Sequence, residues 1–303
     1  MAASPEAASA GADSPAEIAE SAPAKLNLYL HVVGRRPDGY HLLDSLVAFA
    51  SVGDRVAVTP AADPAASAGL TVTGPFAGAV PADADNLAWR AAAALAAALY
   101  RPCDVAVRLD KALPVAAGIG GGSADAAAVL RACARLWGVA GDAPLLMEIG
   151  ARLGADVPVC LAAQTRFVGG IGELLAPAPA VTGCPVVLVN PLVPLPTPAV
   201  FRARTGPFSA PARFAEAPAD WAALAGLLRE RRNDLAEPAR RLCPVVDTVL
   251  AALEDTDGCR LARLSGSGAT CFGLFGDDAT AAAAGESLAA AHPDWWVRAG
   301  TLL

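Results

Sequence analysis

The order of patterns along the chain predicts an α+β protein built in two halves. Three observations carry that expectation. Strand-like alternation and alanine-rich, helix-like runs interleave from residue 25 to residue 138. The same interleaving restarts after the proline-rich "PAPAVTGCP". No segment repeats at a fixed period. The boundary therefore falls near 175–185, giving a first unit at 22–178 and a second at 179–303. A length of 303 residues supplies core enough for two ordinary domains.

Each element follows from its local pattern. Residues 1–21 combine Ala, Pro, Ser and acids without a basic start or an apolar middle. They read as a disordered tail, neither secretory signal nor transit peptide, with order beginning near Pro23. "KLNLYLHVV" alternates, Leu26, Leu28, Leu30 and Val32 against Lys25, Asn27, Tyr29 and His31, which describes a half-buried strand with a polar second face. "DRVAV" and "LTVTG" are short strands joined by the Pro/Ala/Gly-rich "PAADPAASAG". "DNLAWRAAAALAAAL" is a helix starting at Asp85 or Asn86. "DVAVRL" alternates again and feeds "LPVAAGIGGGSADAAAVLRA", a glycine-rich loop running into a helix that starts near Ser123 and ends about Gly138. A helix at 144–154 leads into "ADVPVCLAA", then short strands at "TRFVGG" and "GELL".

In the second half, "VVLVN" reads as a strand, and Thr197-Pro198 suits an N-cap followed by proline at the first helical position. Helices are expected around 219–231, 234–241 and 244–254. "RLARL" and "TCFGLF" form a strand pair around "SGSG", followed by an alanine-rich helix and a last strand near "WWVRAG".

Composition excludes several classes of function. A formal net charge of −7 argues against a broad nucleic-acid surface. No uninterrupted run of about 18 apolar residues offers a membrane span. Seven scattered cysteines lack metal-finger spacing and fit buried thiols in a reducing compartment. The expectation is a cytoplasmic protein, monomeric or weakly dimeric.

Chemistry concentrates in four stretches. In "GIGGGSAD", Gly118, Gly120, Gly121 and Gly122 let backbone N–H groups approach an anion, and the helix that follows adds its free amides and dipole. The loop lacks the GK[ST] of a P-loop and is not a dinucleotide fingerprint; a plain tight turn is its other reading. "PAKLNLYL" places Lys25 and Asn27 on one strand face. "GRRPDGYH" gathers charge, a turn, Tyr40 and His41. "LSGSGATCF" is a second glycine-rich turn. Taken singly, each also reads blandly, as a strand-end lysine, a turn, a surface histidine and a hairpin loop. Lys111 is a nucleotide contact or a solvated lysine at a strand end.

Together, in this order, the four resemble the GHMP kinase superfamily, whose glycine-rich motif P-x-x-x-G-[LI]-G-[GS]-[GS]-S-[AS] runs here from Pro114 to Ala124. Within it, "APAKLNLYLHVVGRRPDGYHLLDS", "GADVPVCL" and "RNDLAEP" resemble the branch acting on 4-diphosphocytidyl-2-C-methyl-D-erythritol, in the non-mevalonate route to isoprenoids. The resemblance runs from about Ala22 to the end. It implies a ribosomal protein S5 domain 2-like first domain and a ferredoxin-like second one, with ATP and Mg²⁺ serving phosphorylation of the substrate's 2-hydroxyl.

The resemblance also assigns residues. Lys111, Pro114, Gly118, Gly120, Gly121, Gly122, Ser123 and Ala124 would hold ATP. Asp156 would take or orient the hydroxyl proton, with Lys25 beside it favouring its charged form and steadying the phosphoryl group. Asn27 would hold the reacting end; Tyr40 and His41 would stack on and bond the cytosine. The "SGSG" turn would complete the substrate side. Metal ligands are unassigned, with Ser123 and water as candidates, and Asn86, Trp89 and Lys111 lie where the adenine could sit. The alternatives are a relative acting on mevalonate, homoserine or a sugar, a nucleotide-binding regulator without catalysis, and a purely structural α+β protein.

Overall fold

The computed structural model describes residues 17–61, 69–141 and 143–303. Two long strands, β1 (Ile18–Arg35) and β2 (His41–Pro60), run antiparallel around a turn at 36–40, where Gly39 takes φ +93°. β3 (Gly69–Thr73) is followed by α1 (Leu87–Ala98), which Asn86 caps by accepting from the Ala88 amide at 2.9 Å. β4 (Val105–Asp110) leads to α2 (Gly121–Leu136), α3 (Pro144–Leu153), α4 (Val157–Ala162), β5 (Arg166–Gly170) and β6 (Leu174–Pro177). The sheet has the order β3-β4-β2-β5-β6, with β1 also on β2.

The chain then crosses to a second sheet. It holds β7 (Pro185–Asn190), β8 (Leu261–Leu264), β9 (Cys271–Leu274) and β10 (Trp296–Thr301), ordered β10-β7-β9-β8 and antiparallel throughout. The helices of this half are α5 (Thr197–Ala203), α6 (Trp221–Arg229), α7 (Ala236–Leu242), α8 (Val245–Glu254) and α9 (Asp278–Ala291).

Both faces of the first sheet are covered. Val47, Phe49, Val56, Val107 and Leu109 pack against the alanine face of α2 and against α1, α3 and α4. Alanine side chains let these helices approach the sheet closely, which suits a core poor in aromatics. On the other face Leu26, Leu28, Leu46 and Ala48 meet Leu188, Phe272, Leu274 and Trp296 of the second half. A third cluster joins Leu30 and Val32 to α7, α8 and α9.

The structure revises several expectations. β1 starts at Ile18, ahead of Pro23, because its polar entry is held by non-local partners: Glu20 pairs with Arg131 and Arg135 at 3.1 and 2.8 Å. Residues 1–16 of the tail, and 62–68 of the Pro/Ala/Gly-rich loop, lie outside the described residues. The polar face of β1 is not wet: Lys25, Asn27 and His31 are all buried. Register shifts at 23/25, 27/29 and 32/34 also break the alternation, so Tyr29 shares a cluster with Leu28. "DRVAV" is the end of a longer strand, since residues 41–50 pair with β1 and β5. "ADVPVCLAA" contains a helix, α4. Helix α2 begins two residues before Ser123. Thr197 lies inside α5 with Pro196 at the cap, and its hydroxyl meets Ser267 Oγ at 2.7 Å instead.

Asp44, buried in β2, ties the layers together. It accepts from Tyr29 Oη at 2.9 Å, from the Ala212 amide at 2.8 Å and from Arg213 Nε at 2.8 Å. Burial, then the Asp44 carboxylate, pushes the Tyr29 hydroxyl well above its usual pKa, so it stays a donor. Asp44→Ala leaves three donors without their acceptor and is expected to cost about 3 kcal/mol. Urea unfolding checks this; a loss below about 1 kcal/mol would refute that role.

Candidate functional site

The loop that precedes α2 crosses the seam between the halves, and two backbones meet there. Gly118 (φ +76°) leaves no room for a side chain: a Cβ would lie 2.6 Å from Ser265 O and 2.7 Å from Gly268 N and O. Ser265 Oγ donates to Gly118 O at 3.2 Å, and the Asn27 amide donates to Ser265 Oγ at 3.2 Å. The "SGSG" turn thus reaches the first half, as the sequence implied.

Helix α2 opens on Gly120 in the left-handed conformation, φ +65°, with no capping side chain. Its first bond is Ala124 N to Gly120 O, 2.9 Å, so the amides of Gly121, Gly122 and Ser123 have no acceptor within the helix. They face a 470 Å³ cavity whose wall includes Lys25, Asn27, Gly118, Gly120 and Asp156. Lys25 Nζ meets Asp156 Oδ2 at 3.0 Å; the lysine is buried while the carboxylate is 41% exposed. Asp156 stands at the start of α4 without capping it, so its second oxygen is not spent on the backbone. Asn27 Nδ2 donates to Ser45 Oγ at 2.9 Å, whereas its Oδ1 is buried with no partner among the described residues.

A second cavity, of 660 Å³, opens beside the first and holds Tyr40, His41 and Phe201. The two share Leu43, Ile171, Thr197 and Phe201, so they adjoin at a common waist and together outline a trough. His41 stacks on Phe201 with centroids 5.2 Å apart and planes at 27°. Partial burial first, then Arg35 and Arg204, lower the His41 pKa and favour the neutral ring, which offers one donor and one acceptor. Tyr40 is 61% exposed at the rim.

Two nucleotide expectations need correction. Ala124 turns into the core and donates its amide within the helix, so it offers the cavity nothing. Lys111 is neither solvated nor available: its Nζ bonds Asp54 Oδ2, and Asp125 Oδ2 at 2.8 Å, all three buried. Burial opposes its charge, but the two carboxylates outweigh that and raise its pKa. Asp54 Oδ1 also accepts the amides of Ala112 and Leu113 at 2.6 and 2.7 Å.

A third cavity of 180 Å³ abuts the loop and is lined by Val80, Pro81, Asn86, Lys111 and Pro114; Trp89 packs into the core instead. No cluster of three metal-ligating side chains occurs among the described residues.

Sequence reading missed Phe201, Asp54 and Asp125. Phe201 lies four residues after Thr197, one helical turn, a spacing that could have flagged a shared face. No local pattern links Asp54 to Lys111, because β2 and β4 are brought together only by the sheet.

Comparison with known proteins bears on the whole chain. Residues 86–164 match the GHMP kinases N terminal domain and 214–294 the GHMP kinases C terminal domain. A Paramagnetospirillum magneticum protein, 4-diphosphocytidyl-2-C-methyl-D-erythritol kinase, is 55% identical over 282 residues, 93% of this chain and 97% of that one. A Rhodospirillum rubrum protein of the same name is 51% identical, covering 94% and 93%. A crystal structure of 4-(cytidine 5'-diphospho)-2C-methyl-D-erythritol kinase superposes with TM-score 0.74 at 37% identity, over 94% of this chain and 99% of that one. Homoserine kinase from Cytophaga hutchinsonii shares the fold, at TM-score 0.71 and 17% identity over 94% of each.

Two variants probe this geometry. Gly118→Ala forces a left-handed alanine into a backbone contact and is expected to destabilise the protein by about 2–4 kcal/mol, read by thermal unfolding. Unchanged melting would mean that the seam is looser than its distances imply. Asp125 tests the buried triad. Desolvation, only partly offset by Lys111, pushes its pKa from 3.8 up to about 7. The folded state therefore holds that proton more tightly than the unfolded one, and stability falls as pH rises from about 4 to 7. Asp125→Asn is expected to flatten that slope; an identical slope in both proteins would overturn it.

Proposed function

The chain belongs to the 4-diphosphocytidyl-2-C-methyl-D-erythritol kinases of the GHMP kinase family, and we infer that it transfers the γ-phosphoryl group of ATP to the 2-hydroxyl of 4-diphosphocytidyl-2-C-methyl-D-erythritol. The product feeds the non-mevalonate route to isoprenoid precursors. One observation carries the reading on the side of geometry: the cavity with the ion pair and the uncapped helix adjoins the aromatic cavity, the two having four lining residues in common. A long acceptor with a flat base at one end and a reacting hydroxyl at the other fits such a trough.

The residues divide the work by position. Backbone amides at the start of α2 hold the nucleotide's phosphates, which need donors and positive potential rather than a single lysine. Asp156 takes the proton of the attacking hydroxyl, with Lys25 fixing its orientation and lying beside the transferring group. The buried Asn27 Oδ1 accepts from a substrate hydroxyl and so gains the partner it lacks. The cytosine ring lies against Phe201 and Tyr40, while neutral His41 meets its polar edge. Adenine occupies the small cavity beside Asn86 and Pro114. Ser123 and Asp156, which line the cavity, would help hold Mg²⁺, and the ion would neutralise charge on the transferring group. The enzyme works in the cytoplasm as a monomer or weak dimer. No described helix is long and apolar enough to cross a membrane.

ATP turnover with the cytidyl substrate, compared with mevalonate, homoserine and galactose, tests the conclusion. Phosphorylation confined to the cytidyl substrate is expected, and faster turnover of another overturns the specificity. Asp156→Ala is expected to lower kcat by about 10²–10⁴-fold while ATP still binds; near-normal turnover would remove Asp156 from the mechanism.

A further inference from the structure

We propose that Arg35, Arg202 and Arg204 form the subsite for the diphosphate bridge of the acceptor, so that this side of the trough selects a nucleoside diphosphate over the bare nucleoside. The proposal rests on the kinase reading above; it gives Arg35 of "GRRPDGYH" a role and adds Arg202 and Arg204, which no sequence motif singled out.

All three arginines line the 660 Å³ cavity beside His41 and Phe201. None of them has a carboxylate partner in the ion pairs of the described residues. The carboxylate on the same wall, Asp38, is already paired with Arg36 at 2.8 Å. Three guanidinium groups gathered in one concave site without such a partner leave a positive pocket suited to an anion.

Their hydrogen bonds leave most donors unused. Arg35 Nε donates to Gly39 O at 3.1 Å. Arg204 Nη1 and Nη2 donate to the carbonyls of Gly206 and Pro207 at 3.3 and 2.5 Å, and its Nε is buried without an acceptor. Carbonyl oxygens hold these side chains in place but do not neutralise them. Arg202 is exposed and follows Phe201 directly on α5. The lowered pKa of His41, to which Arg35 and Arg204 contribute after burial, reports the same positive field. A base held at Tyr40 and His41 would carry its diphosphate in the same cavity as these groups. Planar guanidinium groups with paired N–H donors match phosphate oxygens well.

The test is equilibrium binding of cytidine, CMP and CDP to the full chain by calorimetry, at low and moderate salt. Arg204 also braces the carbonyls at 206 and 207, so the variants are made at the other two positions. The wild type is expected to bind CDP at least about tenfold more tightly than cytidine, with the advantage shrinking as salt rises. In the Arg35→Gln, Arg202→Gln double variant that advantage should fall to about twofold or less, with cytidine affinity unaltered, and Arg202→Lys should restore part of it. An undiminished preference for CDP in the double variant would overturn the proposal, as would equal binding of CDP and cytidine by the wild type. In both cases turnover of the cytidyl substrate would leave the kinase reading standing. Failure of the wild type to bind any cytosine compound, together with no such turnover, would overturn both.

Discussion

Two buried carboxylates share one buried ammonium beneath the glycine-rich loop, and the geometry of the site depends on that arrangement. Asp54 of β2 grips the loop's entry through the amides of 112 and 113, while Lys111 connects Asp54 to Asp125 on the first turns of α2. The segment between is thereby fixed at both ends to the sheet. A Cβ on Gly121 would lie 3.1 Å from Lys111 Nζ, so the helix terminus rests directly on the triad. A group of this kind adds little net stability over an apolar core. Its contribution is registry: it holds three amides toward the cavity without placing a side chain in front of them.

The same economy of charge explains how the loop works without a lysine of its own. Lys111 is largely neutralised by its two partners, so it does not supply the pull on a phosphate. In the proposed mechanism that pull would come from the helix terminus and from Lys25, which enters from β1, where the Lys25 backbone amide donates to Ile119 O at 2.9 Å. A mobile lysine on the loop would add charge but also entropy. A lysine buried on a strand and tied to Asp156 is already in place.

Much of the architecture was legible in the sequence because the signals were local. The alternation in 25–33, the alanine-rich runs and the proline break near 177–185 each reflect a period or a breaker that acts over a few residues. The Lys25–Asp156 pair is different. Its members are 131 positions apart, and only the family resemblance joined them before the structure did. The triad was invisible for the same reason: Asp54 and Lys111 meet across β2 and β4, and no pattern in either strand announces the other. Burial of the polar face of β1 was illegible because the alternation records which residues share a side, not what covers it. Asp156 and Gly120 of the first half cover Lys25, and residues 210, 232 and 265 of the second meet His31 and Asn27. Lys111 looked like a strand-end lysine since its neighbours in sequence, Asp110 and Ala112, reveal nothing of the two acids beneath.

The polar groups left without partners trace a path across the molecule. It begins at the amides of 121–123, passes the exposed oxygens of Asp156 and the orphaned Asn27 Oδ1, and ends among the arginines around His41. Elsewhere Asp44 meets three donors and Asn233 bonds the carbonyls of Leu264 and Gly266, while Arg101 Nε, Asp125 Oδ1, Thr165 Oγ1 and Trp296 Nε1 are also buried without a partner among the described residues. The unpartnered groups along the trough gain from a ligand that supplies the donors and acceptors they lack. Donors lie at both ends and an acceptor in the middle, the polarity expected for a ligand with phosphates at each end and a hydroxyl between. The trough's polarity, more than its volume, supports the proposed transfer of a phosphoryl group from ATP to an acceptor hydroxyl.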